Sequence, residues 1–390
     1  AEPNGSETVQ ITTRQRGAPL DLIVAEAAIV ANNTWGQWLA ELGIPGIYRD
    51  RRATRSERTY PQGTTTAALV GYVTDDGKPG GGVELMVKDH LKGKPGRQTF
   101  EQGRDGTIIP VAERSLKPAV DGNDVTLTIS SSLQWYAQNS LAARMKEVGA
   151  KSGTVVVMDA KNGNLLSVAS YPTFNPNTDI GKKGAKLGNV AFSEVFEPGS
   201  TSKIMTIAAA LEEGTVTPST PVIIPNRLKR YDASFKDSHD HPTLYRTVAG
   251  TLAESSNIGT VLVSETMTSK TLETYFRKFG LGQRSGTGYP GESGGLLAKS
   301  EDWSGTQSKT VSFGQGLSVT AIQAASVFQT IATVGVRVAP RLVESLTAAD
   351  GTVTPTPKSA STRVVSAQTA NDVSKMLEGV VSDEGTAEQA

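Results

Sequence analysis

The feature that most constrains the fold is an Asn-Gly pair between two short apolar runs. The two residues lie within Asp159-Ala160-Lys161-Asn162-Gly163-Asn164, which separates Thr154–Met158 from Leu165–Ser170, and both runs have the character of strands. Asn-Gly between two apolar runs is the strongest short-range signal for a β-hairpin. We therefore expect an antiparallel strand pair in a domain that begins near residue 120.

After the hairpin the pattern becomes mostly helical. Apolar spacing predicts helices over Leu133–Val148, Ser200–Glu213, Arg246–Glu254, Ile258–Met267, Leu272–Phe279, Thr320–Val334 and Ala367–Val381. Gly214 suits the position just past the end of the second of these helices. A strand is also predicted at Val125–Ile129. Strands and helices in one domain indicate the α+β class.

The first part of the chain has a different character. Gly-bounded segments such as Ala67–Val73 and Val83–Leu91 predict short strands and turns. The stretch Arg49–Arg58 contains five Arg in ten residues, which we interpret as a solvated face. A length of 390 residues allows two to three domains. We predict an N-terminal domain over residues 1–118 and a second domain over residues 119–390.

Composition excludes several classes of function. Lys plus Arg and Asp plus Glu both number 39, so the net charge is zero and the electrostatic case for a nucleic-acid partner disappears. The chain has no Cys, which excludes Cys nucleophiles, thiolate zinc sites and iron–sulfur clusters. The absence of thiols also favours an exported protein. No cofactor is expected.

The sharpest chemical pattern is Ser200-Thr201-Ser202-Lys203, preceded by Pro198-Gly199. Pro and Gly stop the preceding chain, so Ser200 falls at the start of a helix, where backbone N–H groups are free. Lys203 lies three residues on and shares a face with Ser200. A hydroxyl beside an amine is a nucleophile with its base, provided that the pKa of the amine is lowered. The alternative is an N-cap Ser followed by an exposed Lys.

A second element is Glu254-Ser255-Ser256-Asn257, between two predicted helices. The hydroxyl of Ser255 suits proton relay, and the amide of Asn257 suits hydrogen bonding to a substrate. Ser and Asn are equally common as turn and cap residues. The order Ser-x-x-Lys followed by Ser-x-Asn raises the weight of both motifs, because it is the order found in penicillin-binding proteins and class A β-lactamases.

At this point the chain resembles the class B penicillin-binding proteins, the division-specific members most closely. The resemblance covers residues 45 to 385 and is carried by Tyr60-Pro61-Gln62-Gly63, Gly82-Val83-Glu84-Leu85, Phe196–Lys203, Phe279-Gly280-Leu281-Gly282, Gly288–Glu292 and Ser312–Thr320. It implies a β-rich pedestal (residues 1–118) before a β-lactamase-like transpeptidase domain (residues 119–390), whose antiparallel sheet has helices on both faces.

The resemblance also implies a mechanism. Ser200 is expected to be acylated by the penultimate D-Ala of a peptidoglycan stem peptide, or by a β-lactam. Lys203 would be the base, Ser255 would pass a proton to the leaving group, and Asn257 would bind the substrate amide. Implied partners are a glycosyltransferase and other proteins of the division machinery, on the extracytoplasmic face of the bacterial membrane, with the anchor outside these residues.

One element of the family pattern is missing. The third motif, Lys-Thr-Gly on a central strand, does not occur. Ser308-Lys309-Thr310-Val311 imitates it, but it lacks the Gly that lets substrate approach a strand edge, and it precedes Gly314-Gln315-Gly316 instead of following that segment. We expect the motif and the strands that complete the sheet to lie beyond Ala390, in a longer natural protein.

Two other functions and two other motifs are compatible with parts of this sequence. The same Ser200 and Lys203 would serve a β-lactam-hydrolysing or D,D-carboxypeptidase enzyme, or the fold could be retained in a non-catalytic scaffold or sensor. Gly286–Gly291 matches a dinucleotide-binding pattern, but no strand leads into it and Pro290 prevents a following helix. His239-Asp240-His241 could suggest a metal, but we favour a loop near the rim of the active site.

Overall fold

The computed structural model describes residues 58–74, 76–99, 115–382 and 385–386. By spatial proximity the chain divides into a unit of residues 1–58 and a unit from Thr59 to Ala390. Of the first unit, the structure describes only Arg58. Most of Arg49–Arg58 and much of the expected pedestal therefore lie outside the described residues, and the boundary at residue 118 stays a prediction. In the described ranges, no helix combines the length and apolar character that crossing a membrane requires.

Helices and strands alternate irregularly along the described chain. The α-helices are α1 Ala67–Val70, α2 Gly82–Met86, α3 Lys88–Leu91, α4 Ser131–Val148, α5 Val190–Ser193, α6 Lys203–Glu212, α7 Val248–Ala253, α8 Asn257–Ser264, α9 Ser269–Lys278, α10 Gly305–Thr310, α11 Ala321–Ala332 and α12 Ala367–Glu378. The strands are β1 Tyr72–Val73, β2 Pro79–Gly81, β3 Arg97–Thr99, β4 Ser115–Lys117, β5 Asp124–Leu127, β6 Gly153–Met158, β7 Leu165–Tyr171, β8 Pro221–Ile224, β9 Leu228–Arg230, β10 Ala233–Phe235, β11 Leu244–Thr247, β12 Val336–Val338, β13 Val343–Thr347, β14 Val353–Pro355 and β15 Ser361–Arg363.

The expected hairpin is present as the antiparallel pair β6–β7, with Val155 opposite Ala169 and Val156 opposite Val168. Successive side chains of a strand point to opposite faces. Val155 and Ala169 accordingly pack with α4, whereas Val156 and Val168 belong to a cluster that contains Ile322 of α11. Helices therefore cover both faces of this strand pair, and the α+β class with antiparallel pairing is confirmed.

Helix α4 is tied to β7 by two buried side-chain amides. The Oε1 atom of Gln134 accepts hydrogen bonds from the backbone N–H of Val168 at 2.8 Å and from the hydroxyl of Ser167 at 3.0 Å. Gln138 donates from Nε2 to the carbonyl of Ser170 at 2.9 Å. Buried polar groups of the strand are satisfied in this way. Both glutamines are at most 5% exposed.

The largest core cluster lies in the helical part of the molecule and is centred on α6. From Lys203 to Ala210 every residue of this helix is buried, and its apolar side chains pack with Ile258 of α8 and Phe276 of α9. The predicted helices are confirmed, with ends that differ by a few residues. A helix buried on all sides places its first residue, Lys203, away from water.

Two predicted strand segments fold differently. Most of Ala67–Val73 forms the single turn α1, and Val83–Leu91 lies within α2 and α3; only Tyr72 and Val73 are extended. The expectation of strands was wrong, because Leu69 and Val83 bury their side chains in the cluster that contains the hairpin, and such tertiary packing overrides local preference. The short pairs β8–β11 and β9–β10 and the helix α10 were not predicted either.

Candidate active site

The turn that carries Ser200 is fixed by contacts with a distant segment. Phe196 and Val319 exchange two backbone hydrogen bonds, of 3.0 and 2.9 Å, and the N–H of Gly199 donates to the carbonyl of Gly314 at 3.0 Å. Gly199 has φ +56 and Gly314 has φ +85, values that favour glycine. A Cβ atom on Gly314 would also collide with the carbonyl oxygen of Gly199. The Gly314-Gln315-Gly316 segment therefore holds the entrance to the helix.

Ser200 itself lies in a 3₁₀ turn, Gly199–Ser202, that leads directly into α6. The N–H of Lys203 donates to the carbonyl of Ser200. A 3₁₀ helix has three residues per turn, so side chains three positions apart lie above one another. The shared face of Ser200 and Lys203 therefore stays a prediction from this spacing, and the α-helix begins at Lys203 and not at Ser200. The side chain of Ser200 is exposed.

The amine of Lys203 is buried and bonded to Ser255. The residue is 0% exposed; its Nζ atom donates to the backbone carbonyl of Ser255 and lies 3.1 Å from the Ser255 hydroxyl. Burial lowers the pKa of Lys203 from 10.5 to about 8, against a smaller opposing effect of the Asp237 carboxylate. At pH 7 about one amine in ten is then neutral, compared with about one in 3,000 for an unperturbed lysine. The structure therefore contradicts the alternative of an exposed Lys.

The second motif stands at the start of α8. Ser255 has φ 55, a left-handed conformation that is uncommon for a residue other than glycine. Ser256 is the N-cap, and its hydroxyl accepts the N–H of Gly259 at 2.8 Å. Asn257 donates from its amide to the carbonyl of Lys236 at 3.1 Å. The structure thus brings Ser255 against Lys203 and leaves Asn257 on the adjoining turn, half-buried and tied to the loop after β10.

Two acidic residues that sequence reasoning missed complete the arrangement. Asp237 is buried and accepts hydrogen bonds from the hydroxyl of Ser256 at 2.7 Å and from the N–H of Ile258 at 3.0 Å. Glu197 accepts the N–H of Gly316 at 2.8 Å, which joins the Ser200 turn to the glycine segment. Glu197 lies within the Phe196–Lys203 motif, so its place in the sequence could have identified it as part of the site. Nothing in the local sequence marked Asp237.

The rejected motifs have structural roles. Ser308, Lys309 and Thr310 lie on α10 and not on a strand, and the Lys309 amine is 3.1 Å from a carboxylate oxygen of Glu265. The Gly286–Gly291 segment leads into no helix. Its path is held by Glu292, which accepts the N–H of Ser285 at 2.9 Å. Among the described residues, no group of three or more His, Asp or Glu side chains is placed to hold a metal ion.

Comparison with known proteins gives consistent matches. The family described as the penicillin binding protein transpeptidase domain matches residues 153–390. Penicillin-binding protein PbpB of Mycolicibacterium smegmatis is 38% identical over 325 residues, which are 83% of this chain and 50% of that protein. Peptidoglycan D,D-transpeptidase FtsI of Escherichia coli K12 is 32% identical over 306 residues, 78% of this chain and 50% of that protein.

Among solved structures, penicillin binding protein 3 of Mycobacterium tuberculosis in complex with aztreonam is similar, with a TM-score of 0.75 and 36% identity. That match covers 85% of this chain and 71% of the other. The chain spans about half the length of the curated relatives it matches.

Proposed function

Because this chain belongs to the penicillin-binding protein transpeptidase family, with division-specific class B relatives, we propose that the protein is a serine D,D-transpeptidase that cross-links peptidoglycan stem peptides during septal cell-wall synthesis. The observation that carries the proposal is the buried amine of Lys203. It lies 3.1 Å from the Ser255 hydroxyl, one helical turn from the exposed Ser200. A neutral amine in that position activates a serine hydroxyl.

The acylation step begins at the Ser200 hydroxyl. Its oxygen attacks the carbonyl carbon of the penultimate D-Ala, while its proton passes to the neutral amine of Lys203. The backbone N–H of Ser200, at the open start of the helix, donates to the developing oxyanion. When the tetrahedral intermediate collapses, the C–N bond breaks and the proton returns through the hydroxyl of Ser255 to the departing D-Ala nitrogen. The product is an ester of Ser200 and free D-Ala.

The second step is the reverse with a new amine. The amino group of a neighbouring stem peptide attacks the ester carbonyl, loses a proton to the Ser255–Lys203 pair and forms the cross-linking amide as the Ser200 oxygen regains its proton. In this scheme Asn257 hydrogen-bonds the substrate amide from the adjoining turn. A β-lactam acylates the same oxygen, but its leaving nitrogen stays tethered to the acyl group, so that deacylation is slow. The similar tuberculosis protein is complexed with aztreonam, which supports binding of a β-lactam by this chain.

The fate of a labelled penicillin tests the proposal. Incubation of the full-length protein with a fluorescent penicillin is expected to give a long-lived covalent adduct, which peptide mass spectrometry maps to Ser200. Rapid conversion of the drug to its hydrolysed form would instead favour a β-lactam-hydrolysing enzyme. Absence of any adduct would favour a non-catalytic scaffold and contradict the proposal.

The pH dependence of acylation is a second expected result. Since burial holds the pKa of Lys203 at about 8, the active neutral amine increases as pH rises through that value. The second-order rate of penicillin acylation should therefore rise about tenfold per pH unit below pH 7 and level off above pH 9. Stopped-flow measurement of the acylation rate between pH 5.5 and pH 10, at constant ionic strength, checks this profile. A flat profile over this range would contradict the role of Lys203 as base.

Location and domain organisation are part of the same proposal. Residues 119–390 are taken as the transpeptidase domain, which contains the whole region of the family match, and residues 1–118 as the pedestal. The substrate lies in the cell wall, so we place the protein on the extracytoplasmic face of the membrane, with a glycosyltransferase and division proteins as partners. Fractionation of cells and cross-linking in vivo test these assignments.

A further inference from the structure

The loop after β10 supplies a buried carboxylate to the start of α8. Asp237 is 8% exposed. One of its oxygens accepts the N–H of Ile258 and the other accepts the hydroxyl of Ser256. These bonds hold the first turn of the helix whose preceding residue, Ser255, contacts the amine of Lys203. A displacement of Asp237 would therefore be transmitted to Ser255 and Asn257.

His241 stands behind Asp237 and is itself buried, with a side-chain exposure of 6%. Its Nε2 atom lies 3.2 Å from the Asp237 oxygen that Ser256 also contacts, and its Nδ1 atom lies 2.7 Å from the carbonyl oxygen of Pro242. A carbonyl oxygen and a carboxylate can only accept. Both contacts are hydrogen bonds when each ring nitrogen carries a proton.

We propose that Asp237 and a doubly protonated His241 form a positioning pair, which orients the Ser255–Asn257 turn and sets the electrostatic field at the amine of Lys203. The proposal rests on the function proposed above and assigns it two further residues. Neither residue touches the reacting atoms in this arrangement. Asp237 acts through the backbone and side chain of α8, and His241 acts through Asp237.

The two residues have opposite effects on the base. The Asp237 carboxylate favours the charged form of Lys203 and raises its pKa, opposing the larger effect of burial. The imidazolium of His241 neutralises part of that carboxylate charge, and so keeps the Lys203 amine more readily deprotonated. The Asp237 carboxylate thus anchors α8, while His241 limits the rise that this carboxylate causes in the pKa of Lys203.

Other charged groups surround the pair. Lys236 directly precedes Asp237 in the chain, and Asp240 follows it by three positions. Asp240 forms an ion pair with Arg227 at 2.7 Å. The ring of His239 lies 6.3 Å from that of His241, edge to face, and its Nδ1 atom is 3.0 Å from the hydroxyl of Ser238. Asp240 and Arg227 are exposed on the outer side of the loop, where solvent screens their charges. The exposed Asp240 and His239 provide matched controls for the buried pair.

The test compares Asp237→Asn and His241→Gln with Asp240→Asn and His239→Gln. The midpoint of the acylation pH profile is expected to fall by about one pH unit in Asp237→Asn and to rise by about one pH unit in His241→Gln. Both controls should keep the wild-type midpoint. Thermal melting shows whether each variant is folded. If Asp237→Asn fails to fold, the upward shift in His241→Gln decides the question.

A readout that is independent of activity separates this proposal from the proposed function. The titration of Lys203 is followed by NMR in protein labelled with ¹³C at the lysine Cε atoms, and its signal is assigned by its loss in Lys203→Arg. The same opposite shifts are expected there, even if the wild-type protein forms no acyl-enzyme. Folded variants whose Lys203 titration is unchanged, or moves in the same direction in both, would overturn the pairing. Loss of rate without a shift would indicate a purely structural role.

Discussion

Replacement of Ser200 by alanine is expected to abolish covalent labelling by penicillin completely. The neighbouring Ser202 cannot substitute, because it is buried and its hydroxyl donates to the carbonyl of Gly199. The protein should remain folded, since the Ser200 side chain is exposed and forms no hydrogen bond that the turn requires. Intact mass spectrometry after drug treatment measures the loss.

The control for this variant is Thr201→Ala. The Thr201 hydroxyl is exposed and bonds only to the carbonyl of Pro198, at 2.8 Å, so labelling should persist within a few-fold of the wild type. In cells, Ser200→Ala as the sole copy is expected to reduce growth and septal cross-linking at normal protein levels. Normal growth and cross-linking with the variant would contradict the enzymatic role and favour a scaffold.

Replacement of Lys203 by methionine is expected to lower the acylation rate by roughly 10²–10⁴-fold, the usual contribution of a general base. Methionine keeps most of the volume of the buried side chain, so that packing around α6 is retained. The residual rate should lose its rise near pH 8, because the group that titrates there is gone. Stopped-flow acylation at several pH values measures both changes.

The same variant should not be less stable at neutral pH. The pKa of Lys203 falls from 10.5 in the unfolded chain to about 8 in the folded protein, so the unfolded chain binds more protons between these values. Stability contributed by this residue therefore rises as pH increases from 8 to 10.5 and is absent below pH 8, a difference of roughly 3 kcal/mol. Lys203→Met removes the buried charge and should flatten that part of the pH–stability curve.

Lys309→Met is the matched control, since Lys309 also follows a hydroxyl residue, Thr306, by three positions. It should lose its ion pair with Glu265 and little acylation. Wild-type acylation by Lys203→Met, or an equal loss in Lys309→Met, would show that the base has been assigned to the wrong residue.

The sequence predicted those parts of the site that depend on neighbours in the chain. The Ser200 and Lys203 spacing, the Asn162-Gly163 hairpin and the Ser255–Asn257 turn are short-range features, with local physical causes. The α-helix was predicted to begin at Ser200, but it begins at Lys203, after one 3₁₀ turn. The contact between Gly199 and Gly314 tightens the chain there. The catalytic roles remain predictions until the substitutions are made.

Asp237 could not have been found in the same way. It lies 19 positions before Ser256, and it reaches that residue only because the short β9–β10 pair returns the chain towards α8. Neither strand shows a clear period in the sequence. The prediction of strands at α1 and α2 failed for a related reason. These turns depend on burial against the β6–β7 hairpin, which local composition does not reveal.

The glutamines of α4 determine how this helix can separate from β7. Gln134 and Gln138 engage backbone groups of β7 through both their oxygen and their nitrogen atoms. A slide of the helix by one residue would break every one of these bonds at once, with no equivalent partners on offer. Positions of α4 shifted by one residue along β7 are therefore unfavourable. The backbone amides of Val168 and Ser170 should exchange with deuterium only when the whole helix detaches, which is a rare and cooperative event.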